Sequence, residues 1–369
     1  MIYNRYRLLV ITNMYPEIDA PAKGVFVKNI LTDLERSGLE IQLVKLVSGN
    51  SLYRKIINYT FFYYRIFSQL KLNQHIPVYI HYASHCALPV IIYTFLFQRK
   101  APILVHTHGS DVLSEAGTSK FFAKIKHLLT YLLLKKSNGV VTPSSYFKDV
   151  LVETFRLPRN KIFISPSGGI NADIFAPTFN STGSIKPKIG FVSRLTMDKG
   201  VLDFIELFEK LSSEFPLAEA VVVGDGPLKN HLQRKCKNLK MTYFEYMSQE
   251  QLAELYNDLD LFIFPTKRRS ESLGLVGLEA LSCGCPVVAY DGTGPSYYIT
   301  HNHNGFLVPQ GDIQGLLCCI KTYLLMSGSE ALQLKQNALT SVEEYSSLTV
   351  NANLVDYLKS FMLFEQNKS

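Results

Sequence analysis

Two glutamates in the second half of the 369-residue chain are placed to bind hydroxyl groups. Glu271 follows the apolar run Leu261–Phe264, which predicts a buried strand, and Glu279 lies on a helix predicted over residues 274–283. A carboxylate accepts hydrogen bonds from adjacent hydroxyls, so Glu279 could bind a ribose and Glu271 a sugar. The alternative is that both are solvated surface charges, which their spacing alone would favour.

The start of that helix supplies a second kind of contact. Gly274, Leu275 and Val276 form its predicted first turn, whose N–H groups have no acceptor within the helix. Because these groups and the helix dipole favour negative charge, the turn is a candidate site for a phosphate. A strand, an acid-bearing loop and this helix together predict a site for a phosphorylated ligand.

Two cations follow another predicted strand. Residues 188–193 predict the strand, and Arg194 and Lys199 lie in the loop that leads to a helix predicted from Val201. Bases at a helix start oppose its dipole, so their placement is better explained by an anion bound between them. Such cations could stabilise the charge that develops on a departing diphosphate. A pair of surface bases is the alternative.

A polar cluster ends a predicted strand in the first half of the chain. His106 and His108 are followed by Gly109 and Asp111. Open α/β sheets bind ligands at the C-terminal ends of their strands, which makes His108 a candidate ligand contact. The alternation of a strand puts both imidazoles on one face, so a zinc site or an acid–base pair with Asp111 is the alternative.

The formal net charge of +7 is unevenly distributed along the chain. Residues 1–180 carry 21 Lys and Arg against 10 Asp and Glu, whereas residues 181–369 carry 17 against 21. A basic first half suggests an anionic partner. Residues 52–72 combine many aromatic side chains with four bases and no acid, which is typical of a helix lying on an anionic membrane surface. A core helix with a basic rim is the alternative interpretation.

Composition narrows the class of protein. The length and an apolar fraction of 47% predict two domains with separate cores. No apolar run is long enough for a membrane span, and the N-terminal residues do not resemble a secretory signal. The six cysteines include no C-x2-C pair, which argues against a zinc site and suggests the reduced thiols of an intracellular protein. We find no nucleic-acid-binding motif, so no nucleic-acid partner is expected.

The segment ESLGLVGLEALSCGCPVVAY, residues 271–290, resembles the E-x7-E segment of glycosyltransferase family 4, a large group of retaining enzymes with the GT-B fold. The resemblance implies an α/β chain of two Rossmann-like parallel-sheet domains that face each other across a cleft. It also implies that Glu271 contacts the donor sugar and that Glu279 contacts the nucleotide ribose. The similarity covers nearly the whole chain and is strongest over residues 190–312.

Further motifs are similar to those of the same family. R-L-x-x-x-K-G at residues 194–200 resembles its cationic diphosphate motif, and THGSDV at 107–112 resembles a segment opposite the donor. The latter implies that His108 contacts the donor sugar or diphosphate. The glycine-containing loops at Gly24 and Gly224 resemble those that border the donor, although an ordinary turn glycine is an equal alternative for Gly24.

The resemblance also implies a domain layout. We expect an acceptor-side domain over residues 1–175, a linker over 176–187 and a nucleotide-sugar-binding domain over 188–346. A C-terminal helix over 347–369 is expected to cross back to the first domain. One departure from the family pattern is Ser296, which stands where an acid is usual and weakens inferences about nearby donor contacts.

The implied activity is transfer of a sugar from a UDP- or GDP-sugar to a hydroxyl acceptor, with retention of configuration and without a metal. The expected acceptor is a lipid-linked or growing bacterial surface polysaccharide, such as lipopolysaccharide, capsule or exopolysaccharide. The enzyme would then act in the cytoplasm, peripherally at the inner face of the membrane. Two alternatives stay open: a nucleotide-sugar epimerase of the same fold, and a catalytically silent partner in a glycan-assembly complex.

Overall fold

The computed structural model describes residues 6–18, 20, 23–49, 51–114, 117–178 and 186–366. The chain divides into two compact units. Unit 1 comprises Met1–Gly168 and Leu348–Ser369, and unit 2 comprises Gly169–Ser347. Residues 169–175, which we assigned to the first domain, group with unit 2 because Ile170 and Phe175 are buried in its core. Most of the expected linker, residues 179–185, lies outside the described residues.

Unit 1 is built on a parallel sheet of six strands, because its short apolar runs alternate with helices. The strands are β1 Arg7–Thr12, β2 Glu40–Lys45, β3 Val78–His81, β4 Ile103–His106, β5 Gly139–Thr142 and β6 Ile162–Ile164. They lie in the order β2-β1-β3-β4-β5-β6. The helices are α1 Val25–Arg36, α2 Leu52–Leu72, α3 Ala83–Leu96, α4 Lys120–Lys136, α5 Ser145–Phe155 and α12 Ser347–Gln366.

Helices cover both faces of this sheet. The buried sides of α2, α3, α4 and α5 form one hydrophobic core with the strands, and α1 and α12 form the other. On the second face the rings of Phe163 and Tyr357 stack with their centroids 4.0 Å apart, which joins α12 to β6. The final helix therefore belongs to unit 1, although the rest of the second half of the chain forms unit 2. Among the described residues, no helix is both long and apolar enough to cross a membrane.

Unit 2 has a second parallel sheet of six strands. These are β7 Lys188–Val192, β8 Glu219–Val223, β9 Met241–Phe244, β10 Leu261–Phe264, β11 Val287–Tyr290 and β12 Gly305–Val308, in the order β12-β11-β10-β7-β8-β9. Its helices are α6 Val201–Glu214, α7 Lys229–Cys236, α8 Gln249–Asp258, α9 Leu275–Ser282, α10 Ile313–Leu324 and α11 Gly328–Thr340. The run Leu261–Phe264 is wholly buried, as expected for a strand with helices on both faces.

Each sheet has a point at which the strand order reverses. It lies between β7 and β10 in unit 2, where the order is that of a dinucleotide-binding fold, and between β1 and β3 in unit 1. At such a point the loops that follow two neighbouring strands run to opposite faces of the sheet. This leaves a crevice at the C-terminal ends of the strands, where ligands bind. The loops after β7 and β10, and those after β1 and β3, are therefore the regions in which to look for a site.

In unit 2, the loop after β7 packs against the loop after β10 at Gly200. This glycine has a left-handed φ of 78° and precedes α6. A Cβ atom at Gly200 would lie 2.0 Å from the carbonyl oxygen of Pro265, the first residue after β10. Because no side chain fits that gap, only glycine lets the loop after β7 pack against the loop after β10.

Gly200→Ala is expected to destabilise unit 2 more than Gly311→Ala does. Gly311 has a similar φ of 83°, but a Cβ atom there would have no heavy atom within 4 Å, so it matches the backbone strain without the clash. We expect Gly311→Ala to cost about 1 kcal/mol and Gly200→Ala roughly 2 kcal/mol more. Urea titrations would measure both free energies of unfolding, and equal losses would contradict this packing.

Candidate active site

An ion pair joins the two loops at the strand reversal of unit 2. The Lys199 ammonium donates to Oε2 of Glu271, and both side chains are largely buried, with 13% and 15% of their surfaces exposed. Lys199 comes from a turn of 3-10 helix, Met197–Lys199, in the loop after β7, whereas Glu271 comes from the loop after β10. Sequence analysis selected both residues, and the structure brings them into contact.

Backbone hydrogen bonds position Glu271. Its N–H donates to the carbonyl of Arg268 (2.9 Å), and its carbonyl accepts the N–H of Gly294 (3.0 Å). A Cβ at Gly294 would lie 2.7 Å from the Glu271 carbonyl oxygen, so the loop after β11 presses closely on this segment. The hydroxyl of Thr266 also reaches Oε2 of Glu271, at 3.4 Å. The carboxylate is therefore held by its own loop as well as by Lys199.

The first turn of α9 starts in the same loop. Gly274 precedes the helix with a left-handed φ of 84°, and Leu275 and Val276 are its first, partly exposed residues. A Cβ at Gly274 would meet the ring of Phe264 at 2.6 Å, and the Tyr298 hydroxyl donates to its carbonyl (2.9 Å). The glycine is therefore explained by packing within the chain. What it presents to a ligand is the pair of helical N–H groups that follow it.

Glu279 lies one turn further along α9, in apolar surroundings. Burial raises the pKa of the Glu279 carboxyl to about 7, although a hydrogen bond from the Tyr256 hydroxyl (3.4 Å) lowers it. The carboxyl is therefore close to its midpoint of ionisation at neutral pH. A ligand that donates hydroxyl groups to the carboxylate would favour its charged form.

Arg194 and Gly224 lie at the ends of β7 and β8. Arg194 is exposed in the loop directly after β7. Gly224 has a φ of 145°, and a Cβ there would come within 1.8 Å of the Ser193 carbonyl oxygen, so the glycine lets the two loops touch. The Leu195 N–H donates to the Asp225 carbonyl (2.9 Å) and strengthens this contact. The structure therefore places Arg194 at the strand reversal of unit 2.

Sequence analysis missed a further cation at this edge. Arg268 follows β10 and is only 9% exposed. Its Nε donates to the Ser270 hydroxyl (2.6 Å) and lies 3.9 Å from a carboxylate oxygen of Asp198. An arginine in a loop gives no sign of burial in the sequence, because its partner Asp198 comes from a different loop.

Asp260, and Ser296, which stands where the family usually has an acid, have structural roles. Asp260, part of a D-x-D sequence, accepts the Lys188 backbone N–H at 2.8 Å, and Asp258 forms an ion pair with Lys188. This contact lies at the N-terminal ends of β7 and β10, away from the loops above. Ser296 accepts the N–H groups of Gly292 (2.8 Å) and Thr293 (3.3 Å) and so caps its turn.

The candidate residue of unit 1, His108, belongs to a histidine cluster. His81 ends β3, His106 ends β4, and His108 follows β4. Nδ1 of His81 lies 3.1 Å from Nε2 of His108, which is hydrogen-bonding distance, and the planes of the two rings are nearly parallel, at 9°. The His106 and His108 rings stack with centroids 4.3 Å apart, and His106 Nδ1 shares a hydrogen bond with the Tyr79 hydroxyl (2.6 Å).

Burial keeps these imidazoles neutral. It lowers the pKa of His81 to about 3. The pKa values of His106 and His108 lie well below the usual range, first because of burial and then because of the neighbouring imidazoles. His108 is further positioned through its backbone N–H, which donates to the buried Asp111 carboxylate (2.8 Å). At neutral pH His108 can therefore donate or accept a hydrogen bond but offers no positive charge.

The same three histidines could hold a metal ion. One nitrogen from each of His81, His106 and His108 lies within 4.8 Å of the others, and neutral imidazole is a ligand for Zn²⁺. Two features fit a hydrogen-bonded cluster better. Nδ1 of His106 and Nδ1 of His81 already share hydrogen bonds with the Tyr79 hydroxyl and with Nε2 of His108, and both oxygens of Asp111 already accept backbone N–H groups. That the site needs no metal stays a prediction.

Gly24 lies in the loop after β1 of the same unit. It is buried, with a left-handed φ of 67°, directly before α1. A Cβ there would lie 2.6 Å from the Met14 carbonyl carbon, so the loop packs on itself and only glycine fits. This local packing accounts for the glycine, and its contact with a donor stays a prediction.

Comparison with known proteins identifies the class. The fold is that of GT-B glycosyltransferases: sucrose-phosphate synthase from Thermosynechococcus elongatus superposes with a TM-score of 0.79 at 16% identity, covering 96% of this chain and 99% of that one. HepE of Anabaena, solved with UDP and glucose, gives 0.70 at 17% identity over 96% and 100%. Our fold prediction is confirmed.

Family models assign the chain more narrowly. "Glycosyltransferase Family 4" matches residues 10–168, and "Glycosyl transferases group 1" matches residues 178–340. The chain belongs to glycosyltransferase family 4, as the motifs predicted. The capsular polysaccharide biosynthesis glycosyltransferase CapM of Staphylococcus aureus is 23% identical over 61% of each chain. The chain spans about half of the length of the curated relatives that it matches, between 44% and 61% for three of them.

The histidine cluster should not titrate near neutral pH. A histidine in an unfolded chain ionises near pH 6.5, whereas burial lowers the pKa of His81 to about 3. Nuclear magnetic resonance of the ring ¹⁵N nuclei should show three sets of resonances that keep neutral chemical shifts from about pH 8 to about pH 5. Assignment would use His81→Asn, His106→Asn and His108→Asn. A cluster resonance that titrates near pH 6.5 would contradict the buried arrangement.

Proposed function

We propose that the protein is a retaining glycosyltransferase that moves a sugar from a nucleotide diphosphate donor to a hydroxyl acceptor. The observation that carries this proposal is the meeting of Lys199, Glu271 and the first turn of α9 at the strand reversal of unit 2. A cation and two free helical N–H groups suit a diphosphate, and carboxylates suit the hydroxyls of a sugar and a ribose. Family membership supports the same reaction.

Each group has a distinct proposed role. Arg194, Lys199 and the N–H groups of Leu275 and Val276 stabilise the diphosphate as negative charge develops on it. Glu271 orients the donor sugar. Glu279 binds the ribose hydroxyls. It lies one turn into α9, a position that suits the nucleoside of a donor whose diphosphate binds at the start of the helix. Gly24 and Gly224 are proposed to let the backbone approach the donor.

The Lys199–Glu271 ion pair bears on this assignment. The two side chains proposed to contact different parts of the donor bind each other in the structure. A diphosphate carries more negative charge than one carboxylate, so it would compete for Lys199 and free Glu271 to accept sugar hydroxyls. The pair then holds both side chains in place before the donor arrives, which reduces the entropy lost on binding.

Attack from the side of the departing diphosphate is the proposed route to retention. It forms the new bond to the acceptor oxygen on the face from which the diphosphate leaves, so no protein nucleophile is required. The acceptor proton passes to the departing diphosphate. No metal is needed because Arg194, Lys199 and the start of α9 supply the compensating charge. His108 is proposed to contact the donor sugar, since a neutral imidazole suits a hydroxyl better than a diphosphate.

The donor and acceptor classes are proposed from the relatives and from unit 1. HepE was solved with UDP, which makes a UDP-sugar the first donor to test, and a GDP-sugar the second. CapM takes part in capsular polysaccharide biosynthesis, and a growing or lipid-linked surface polysaccharide is the proposed acceptor. A groove beside the ends of β1 and β2, lined in part by Lys28 and Lys45, is a candidate acceptor site in unit 1.

Peripheral membrane contact through α2 is part of the same proposal. The candidate acceptor groove adjoins the start of α2: Glu17 accepts the Ser48 N–H (2.8 Å), and Asn58 of α2 donates to the Ser48 carbonyl (2.9 Å). Leu52, Tyr53 and other apolar residues of α2 are exposed, and the helix has four bases and no acid. An acceptor on a lipid could reach the groove from a membrane held there.

The two alternatives make different demands on the site. An epimerase needs an acid–base set at the sugar carbons. Glu271, Glu279 and His108 are the candidates with such chemistry, and Glu279 is assigned here to the ribose rather than to the sugar. A silent partner needs no donor contacts, whereas the turn at Ser296 is properly capped and the donor-site residues lie together. Donor hydrolysis without acceptor would argue against the silent partner.

Lys199→Ala should lower turnover by on the order of 100-fold or more, because a cation that stabilises the leaving diphosphate is lost. Lys267→Ala is the matched control, since Lys267 forms a nearby ion pair with Asp203 (2.9 Å) that has no role in the proposed chemistry. It should retain nearly the wild-type rate. Release of UDP or GDP from a panel of their sugars measures both variants. Near-full activity in Lys199→Ala would exclude the proposed role.

UDP binding should weaken as the pH falls below about 7, because burial raises the pKa of Glu279 to about 7 and the protonated carboxyl is a poorer acceptor for ribose hydroxyls. The loss should approach tenfold per pH unit. Glu279→Gln keeps the shape of the side chain and removes its titration, so it corrects for the ionisation of UDP itself. Calorimetric titrations that give the two proteins identical pH profiles would contradict ribose binding by Glu279.

A further inference from the structure

Three neighbouring helices of unit 1 expose large apolar side chains away from the sheet. α2, α3 and α4 pack in one layer, with α3 between the other two, and their buried sides form a core with the strands. Their opposite sides therefore face solvent together. Phe61 of α2, Phe95 of α3 and Phe121 of α4 are 65%, 83% and 68% exposed. Single exposed apolar residues are normal, but a group across three adjacent helices is typical of an interaction surface.

The spacing of these residues shows that each helix has an apolar outer stripe. Positions three and four apart lie on the same side of a helix. The stripe includes Leu88, Ile92 and Phe95 on α3, and Phe121, Ile125 and Leu128 on α4. α3 and α4 thus expose apolar residues in the same layer as α2, the helix that the sequence analysis singled out.

The charge on the same helices has one sign. Together α2, α3 and α4 carry nine Lys and Arg residues and no Asp or Glu. Bases at both ends of the surface are exposed, among them Arg65 and Lys71 on α2 and Lys120, Lys124 and Lys135 on α4. The Lys135 ammonium lies 5.7 Å from the centre of the Tyr131 ring, so bases and aromatic rings are interleaved. Apolar rings with bases and no acid match a membrane interface with anionic lipids.

We infer that α2, α3 and α4 form a single docking surface for an anionic membrane. A second copy of the chain is a poorer occupant, because a two-fold symmetric contact would bring the same bases of both copies together without an acid to compensate them. An anionic lipid surface compensates every base and accepts the apolar rings at the depth of its headgroups.

The topology indicates how the surface lies on the membrane. α2 and α4 begin at the C-terminal edge of the sheet, since each follows a strand there, whereas α3 ends at the opposite edge. Tyr53 near the start of α2, Phe121 at the start of α4, and Phe95 and Leu96 at the end of α3 are all exposed. Apolar anchors at both edges favour helices that lie flat on the membrane over insertion of one tip.

This inference extends the membrane contact proposed for α2 and can fail separately from it and from glycosyl transfer. The test uses no donor or acceptor: flotation of the full chain with vesicles of phosphatidylcholine alone, or mixed with phosphatidylglycerol. Binding is expected only to the anionic vesicles and should disappear as salt rises from about 0.05 M to about 1 M. Binding to neither kind of vesicle at low salt would overturn the inference.

Two double variants test whether α4 belongs to the surface. Phe121→Ser with Phe122→Ser removes two exposed rings and should weaken binding at least about tenfold. Its control, Leu325→Ser with Leu332→Ser, removes two apolar side chains of unit 2 that are 79% and 68% exposed, and should bind like the wild type. Wild-type binding by the α4 variant, with loss of binding only in Tyr53→Ser, would overturn the three-helix surface and leave the α2 contact in place.

The basic residues of α4 are tested in the same way. Lys120→Gln with Lys124→Gln should weaken binding by about 30-fold, because each base near an anionic surface contributes to attraction. Lys237→Gln with Lys240→Gln, an exposed pair in unit 2, should have no effect. Sedimentation equilibrium would show whether a second copy of the chain, rather than a membrane, occupies the surface. A dimer that becomes monomeric in Phe121→Ser with Phe122→Ser, without vesicle binding by the wild type, would overturn the inference.

Discussion

The contact between Lys199 and Glu271 joins the two loops on which the proposed donor site depends. The loop after β7 carries Arg194 and Lys199, and the loop after β10 carries Glu271 and leads into α9. Neither loop has regular structure along most of its length, so their relative position depends on a few contacts. The ion pair supplies one, and the close packing of Gly200 on Pro265 supplies another. Two rigid strands at the reversal of the sheet order provide the base for both.

Much of this arrangement follows from local sequence. Helices cover both faces of each parallel sheet, so its strands appear as continuous apolar runs, and Leu261–Phe264 was predicted correctly for that reason. The chemical groups at strand ends could also be located, because parallel strands bring their C-terminal ends to one edge. Gly24, Gly224 and Gly274 are each explained by close contacts inside the chain, and their approach to a donor stays a prediction.

Other features depend on contacts between distant parts of the chain. Nothing in the spacing connects His81 with His108; they meet because β3 and β4 are neighbours in the sheet. Arg268 lies in a segment whose composition is that of a surface loop, but its side chain is buried beside Asp198 from another loop. The domain boundary was placed too late because Phe175 precedes a stretch of loop composition yet is buried in unit 2. Tertiary packing decides such cases, and local composition does not report it.

The central claim is that unit 2 binds a nucleotide diphosphate through the edge formed by Lys199, Glu271 and α9. Thermal unfolding in the presence of a chelator, against a panel of nucleoside diphosphates, tests it most directly. The account predicts that one of them raises the melting temperature and that the rise is lost in Glu279→Ala. The absence of a shift with every nucleotide, or an equal shift in Glu279→Ala, would contradict it.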